Sequence, residues 1–198
     1  MLRGSRLLQF IWFLIFLSSS TNLVAAEESD SSKLLDVLNK GHELYDNLPD
    51  SAIKYYELAI QISDSLEFKN IEAQALYGLA KSLYIKADYD ECYINFSKGL
   101  LIHESLSDTS GIIYGLNGCG IALTMLSKEE EAIDKHKQAI ALCQEINDSI
   151  QLAKNLHNIA VSYESLQEFD LSLSYVDWAR SICIWDESRK VLTLVFKL

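Results

Sequence analysis

IEAQALYGLAKSLYIKADYDECYINFSKGLLIHESLSDTS, residues 71–110, decides the fold because it recurs. The same pattern returns in register at 111–150 and 151–190, and a worn copy precedes it at 33–70. Self-similarity at a fixed period of this size is the signature of a solenoid, in which each unit buries its apolar face only by stacking on its neighbours. Each unit reads as two amphipathic helices. In 71–110 the first carries Leu76, Leu79, Ala80 and Leu83, a break follows at Ala87-Asp88, and the second carries Cys92, Phe96, Gly99 and Leu100. The third unit supplies Leu116, Cys119, Gly120 and Leu123, then Ala132, His136, Ala139 and Ile140. The fourth supplies Leu156, Ile159, Ala160 and Tyr163, then Ser172, Val176 and Ala179. Small residues recur where helices must approach closely, at Ala80, Gly120 and Ala160 and again at Gly99, Ala139 and Ala179.

The order large-x-x-large-small-x-x-large, a turn, then small-x-x-x-large-x-x-small resembles the tetratricopeptide repeat family, and Asp88-Tyr89-Asp90-Glu91-Cys92 resembles that family's turn and second-helix opening. The resemblance covers 33–190. It implies an all-α, right-handed superhelical solenoid of about four helix-turn-helix units (33–70, 71–110, 111–150, 151–190). Two features depart from the family. The period is forty rather than about 34 residues, and the proline that closes the second helix is missing. The expectation is therefore a second helix extended by a turn or so, ending in a polar linker such as Ser107-Asp108-Thr109-Ser110 or Asn147-Asp148-Ser149. The first unit puts Lys40 where a large apolar residue belongs, but Gly41, Leu44, Ala52, Tyr56 and Ala59 fit. Pro49 opens its second helix, where the missing N–H costs nothing.

Residues 1–26 are a separate object. Arg3 and Arg6 precede the apolar run LLQFIWFLIFL (7–17), and Val24-Ala25-Ala26 offers a small-residue cleavage pattern before Glu27. That is the pattern of a secretory signal peptide, with 27–32 as a linker. The apolar run is short for a bilayer span, which needs about 20 residues. The expected location is periplasmic or extracellular, with membrane anchoring only if the segment stays uncleaved or the protein continues further. The net charge is −11, and loss of Arg3 and Arg6 would make it more negative. Such a charge repels phosphate backbones and speaks against nucleic acid as a partner.

Nothing in the chain reads as a catalytic motif. HExxH, GxSxG and a strand-borne phosphate loop are all missing, and the run Gly115-Leu116-Asn117-Gly118-Cys119-Gly120 lies inside a repeat helix, where it reads as a close-packing site. No Cys/His spacing suggests a metal, so neither cofactor nor metal is expected. Cys92 and Cys119 fall on buried slots. Cys143 and Cys183 are equivalent points of adjacent units, and packed helices about 9–10 Å apart exceed the roughly 7 Å reach of a disulfide. Asn95-Phe96-Ser97 and Asn147-Asp148-Ser149 match the glycosylation sequon.

In tetratricopeptide proteins the first helices line a concave groove, and this resemblance assigns a binding stripe for protein or peptide. It comprises Gln74, Tyr77, Lys81 and Tyr84 in the second unit and Tyr114, Asn117, Ile121 and Thr124 in the third. The fourth gives Lys154, His157, Val161 and Glu164, and His42 with Tyr45 extends it into the first. Tyrosines on a face that should be wet suit an interface, although Tyr77 and Tyr114 could equally lean into neighbouring helices. The family's carboxylate clamp is disfavoured, because Leu38 and His42 stand at its first pair. After Lys190, residues 191–198 (VLTLVFKL) would begin the first helix of an incomplete fifth unit, and Ile182, Ile184 and Trp185 lack an obvious cover. The expectation is a non-enzymatic, exported peptide-binding scaffold, resembling the input half of a bacterial membrane sensor cut from a longer protein. The alternative is a self-standing adaptor that oligomerises through its uncapped end.

Overall fold

A computed structural model describes residues 31–65 and 67–185. The leader read at 1–26, the side chains of Cys183, Ile184 and Trp185, and the tail 191–198 lie outside the described residues. The helices are α1 (31–44), α2 (Pro49–Ser65), α3 (Lys69–Ile85), α4 (Tyr89–Ser105), α5 (Thr109–Met125), α6 (Glu129–Ile146), α7 (Ser149–Ser165) and α8 (Phe169–Trp185). From α2 to α8 each packs on its neighbours in the chain, and α5 also touches α7; Leu34 and Leu38 of α1 share a core cluster with Ala52 and Tyr56 of α2. The result is a solenoid of helix pairs, with α1, α3, α5 and α7 as first helices. Pro49 is the first residue of α2, and 31–32 belong to α1 rather than to a linker.

The extra length expected in the second helix is shared with the first: α3, α4, α5 and α7 each span 17 residues, and α6 spans 18. The polar stretches are shorter than expected. Thr109, Ser110 and Ser149 already belong to the following helices, so the pairs begin at Lys69, Thr109 and Ser149 rather than at 71, 111 and 151.

The joints explain this regularity. Glu67, Ala87, Ser107, Ser127, Asn147 and Gln167 all have positive φ, between 55° and 62°. They lie twenty residues apart, so the backbone repeat is half the sequence repeat. At each of five joints two backbone bonds close the helix end. At the second, for example, Ala87 N–H donates to Tyr84 O and Asp88 N–H to Leu83 O, each at 3.0 Å. This is the Schellman pattern, which satisfies carbonyls orphaned at a helix C-terminus. The next residue then starts the following helix. Asp88, Asp108 and Asp148 accept side-chain hydrogen bonds from the backbone N–H of Glu91, Gly111 and Gln151. Three residues thus end one helix and cap the next.

The small slots are buried as the repeat requires. Ala80, Ala139 and Ala179 are inaccessible, and Gly99, Gly120 and Ala160 are buried. Rings from the second helices fill the space opposite. Tyr56, Phe96 and His136 occupy one column, forty residues apart, and a Cβ added at Gly78, Gly118 or Gly120 would strike Tyr56, Phe96 or His136 respectively. The glycine-rich run 115–120 is therefore a set of ring seats inside α5. Cys92, Cys119 and Cys143 are buried and free. Burial pushes the thiols of Cys92 and Cys143 up to about 12, which keeps them protonated and inert. Asn95 of the first sequon is buried and donates to Glu91 O, whereas Asn147 is exposed at a joint.

His136, one of the second-helix packing residues, is fully buried. Its Nδ1 lies 2.9 Å from Asn155 Oδ1, and Asn155 Nδ2 donates to Gln151 O. Burial drives the imidazole pKa down from 6.5 to about 4. The unfolded chain therefore binds a proton that the folded chain refuses, so stability falls as pH drops through 6.5 and levels off below 4. By linkage this residue alone removes on the order of 3 kcal/mol over that window. Residues in the same register are Phe96 and Tyr56 for His136, and Gly115 and Ala75 for Asn155. The double substitution His136→Phe with Asn155→Ala should rebuild a ring seat of the preceding kind without a titrating group. Urea unfolding at pH 7 and 4.5 is expected to show the variant losing about 2 kcal/mol less than the wild type on acidification; equal losses would refute the assignment.

Candidate functional site: the groove of the first helices

The register of the joints puts equivalent residues of α3, α5 and α7 in columns forty apart. Lys81, Ile121 and Val161 form one, and Tyr114 and Lys154 belong to a second. Together with the turn after α1 these columns enclose a groove of about 660 Å³. Of the stripe read from the sequence, the structure brings Lys81, Tyr84, Tyr114 and Asn117 to its wall. Ile121, Thr124, Lys154, His157 and Val161 line it as well, and Tyr45 extends it into the first unit.

Four expected members lie elsewhere. Gln74 is exposed beside the groove without lining it, and its amide donates to Asn70 Oδ1. Glu164 is exposed outside the lining. His42 Nδ1 is 2.9 Å from the Tyr56 hydroxyl and faces that ring edge-on. Tyr77 is the clearest correction, being only 6% exposed. Its ring sits in the room left by Gly99 and Gly115, where any Cβ would strike it. Its hydroxyl donates to Gly111 O at 2.9 Å, so the polar tip is satisfied inside the stack. Around it His103 stacks at 5.2 Å between centroids, with Phe96 at 5.6 Å and Tyr114 at 5.3 Å. His103 is in turn 2.9 Å from the Asp108 carboxylate. Tyr77 thus supports Tyr114, which is 36% exposed and offers its free surface to the groove.

The sequence reading missed Asp46, Ile85, Met125 and Asn158 in the lining, and also Phe96, Gly118 and His136 at its floor. Asn158 was legible in principle, since it lies four residues after Lys154 on the same helix face, and so was Gly118, which lies four after Tyr114. Ile85 and Met125 are the last residues of α3 and α5. Asp46 enters from a turn and Phe96 and His136 from second helices, which a first-helix stripe does not include. Two polar bridges tie α5 to α7 at the groove. Asn158 Nδ2 donates to Asn117 Oδ1 at 2.7 Å, and the Thr124 and Ser162 hydroxyls meet at 3.2 Å.

The electrostatics are local. Burial lowers the pKa of both His136 and His157, so neither carries charge at neutral pH. The charges left in the lining are Lys81 and Lys154 against Asp46. Lys81 Nζ stands 4.1 Å from the centroid of the Tyr45 ring, a cation–π contact that spans two units. Among the described residues no group of three His, Cys, Asp or Glu could hold a metal ion, and no helix is long and apolar enough to cross a membrane.

No protein-family model matches the chain, and no curated protein resembles it at a significant level. Solved structures do. Aspartyl phosphate phosphatase F from Bacillus subtilis superposes with a TM-score of 0.76 at 18% identity, over 83% of this chain and 43% of that one. A Rap protein complexed with competence and sporulation factor gives 0.74 at 15% identity, over 91% and 55%. The tetratricopeptide domain of Arabidopsis FLU gives 0.56 at 26% identity, over 59% and 98%. The chain spans about half the length of the first two. With its successive helix pairs and buried small-residue slots, the chain has the fold of a tetratricopeptide-like solenoid.

Proposed function

We propose that this chain is a non-enzymatic scaffold that binds a protein segment or peptide in the groove of α3, α5 and α7. The observation that carries the reading is the composition of that groove. It combines tyrosines (Tyr45, Tyr84, Tyr114), aliphatic side chains (Ile85, Ile121, Val161) and a few directed polar groups, the mixture that serves at binding sites. A Rap protein of the same fold was solved with competence and sporulation factor bound, which lends support by analogy of fold alone. Export is part of the proposal and rests on the leader pattern of residues 1–26. A role as the input module of a signalling protein rests on the resemblance of the forty-residue period.

A second reading, assembly through the last helix, is favoured by one observation. Leu173 is 60% exposed, whereas Ile133, at the same register of α6, is 6% exposed beneath α7. Phe169 and Trp178 add to the open face of α8.

Three measurements test these readings. Peptides selected from a random dodecapeptide library against the full chain should bind the double variant Tyr114→Ala, Ile121→Ala at least tenfold more weakly, with unchanged helicity by circular dichroism, since interface anchors contribute about 1–2 kcal/mol each. Undiminished binding would refute the groove. Residues 1–30 fused to alkaline phosphatase should give enzyme activity outside the cytoplasm, and Phe13→Asp with Leu14→Asp should abolish it. Activity indifferent to that change would refute export by this segment. For the second reading, sedimentation should show oligomers that Leu173→Glu and Trp178→Glu dissociate, and a chain that is monomeric to begin with refutes it.

A further inference from the structure

We infer that the groove selects an extended segment bearing two acidic side chains about six or seven residues apart. The inference rests on the proposed groove reading and specifies its partner. The body of the protein is strongly acidic, with a net charge of −11, yet the groove inverts the balance locally. Lys81 and Lys154 face it, Asp46 lies at the α1 end, and the lining histidines are neutral. Among the described residues neither lysine has a carboxylate within ion-pair distance, whereas Lys40, Lys69, Lys86 and Arg180 each do. Lys81 is instead held over the Tyr45 ring, which orients the ammonium without neutralising it. An unneutralised cation in a groove, on a protein that has acidic residues to spare, is a receptor for a carboxylate from outside.

The spacing follows from helix geometry. Lys81 is on α3 and Lys154 on α7, which are separated by α5. Helix α5 touches α7, and α3 meets α5 through Tyr77, whose ring lies against Tyr114 and whose hydroxyl donates to Gly111 O; at about 9–10 Å for each neighbouring pair the two axes are roughly 20 Å apart. Within their own helices the two lysines differ by seven register positions, since Lys154 falls in the column of Tyr114 and Lys81 in that of Ile121. At 1.5 Å per residue this adds about 10 Å along the axis. The diagonal is about 22 Å, and an extended chain covers it in six or seven residues at about 3.3 Å each. Between the two ends lie Tyr114, Asn117 and Ile121, so the intervening residues meet an aromatic and apolar floor with one amide. A helical ligand would need about fifteen residues for the same span.

The same random dodecapeptide library, panned against the wild-type chain and against Lys81→Ala, Lys154→Ala, tests this. The wild type should enrich Asp or Glu at two positions six or seven apart, with an apolar or aromatic residue between them. A synthetic peptide of that pattern should bind about tenfold more weakly to each single lysine variant and about tenfold more weakly when either acid is replaced by its amide. Binders that depend on Tyr114 and Ile121 but carry no acidic bias, or that bind the lysine variant equally well, overturn this inference and leave the groove reading standing. A library that yields only binders indifferent to Tyr114 and Ile121 overturns both.

Discussion

The three-residue joint is the constraint on which everything else depends. Its middle residue takes a left-handed backbone, and the residues on either side end one helix and begin the next. None of the six middle residues is glycine, so each joint stores roughly 1–2 kcal/mol of backbone strain. That cost is offset by satisfying orphan carbonyls of one helix and, at Asp88, Asp108 and Asp148, an orphan N–H of the next. Because the joint has no slack, it fixes helix length and direction together. Equivalent residues then fall into columns, and those columns become both the core and the groove.

Within that frame the close approach of helices is set by rings seated on residues that have no side chain. A glycine inside a helix costs about 1 kcal/mol relative to alanine, and α5 carries four, Gly111 in its first turn and Gly115, Gly118 and Gly120 beyond it. The seats they make accept Tyr77, Phe96, His136 and His103. Burying a large side chain is worth about 1.5–3 kcal/mol, so each seat more than recovers its cost. The same geometry explains why a string that superficially suggests a phosphate loop has no loop. Its backbone N–H groups are spent on the helix, and its missing side chains are filled by neighbours.

How far this was legible in the sequence depends on how local the cause is. The helix pairs, the small slots at Ala80, Ala139 and Ala160, and the columns through Lys81 and Lys154 follow from periodicity, and the structure places them where that periodicity does. The break at Ala87-Asp88 was legible, but the left-handed backbone of the joints did not declare itself, because Glu67, Ala87, Ser107, Ser127, Asn147 and Gln167 share a conformation and no chemistry. Serines beside aspartates were read as linker, although Thr109 and Ser110 lie within the next helix. Tyr77 was misplaced for a different reason. Its direction is decided by gaps at Gly99 and Gly115, which belong to two other helices. His136 and Asn155 make the same point in polar form. An asparagine on a first helix reads as surface until the ring that needs it is brought alongside.

The balance of charge in the groove has a kinetic side that geometry alone does not. With a Debye length of about 8 Å at physiological ionic strength, the acidic outer faces are largely screened from an approaching segment, while a carboxylate that has reached Lys81 is partly desolvated and sits within a few ångströms of the ammonium. Attraction is therefore a contact property rather than a long-range one. An acidic partner gains no steering from a body of net charge −11 and associates without electrostatic acceleration. Selectivity must then reside in how slowly the complex parts, through the two lysine contacts and the packing of Tyr114 and Ile121 between them. A rigid stack suits this arrangement, because the lysines stand on different units and their separation is only as definite as the joints between them.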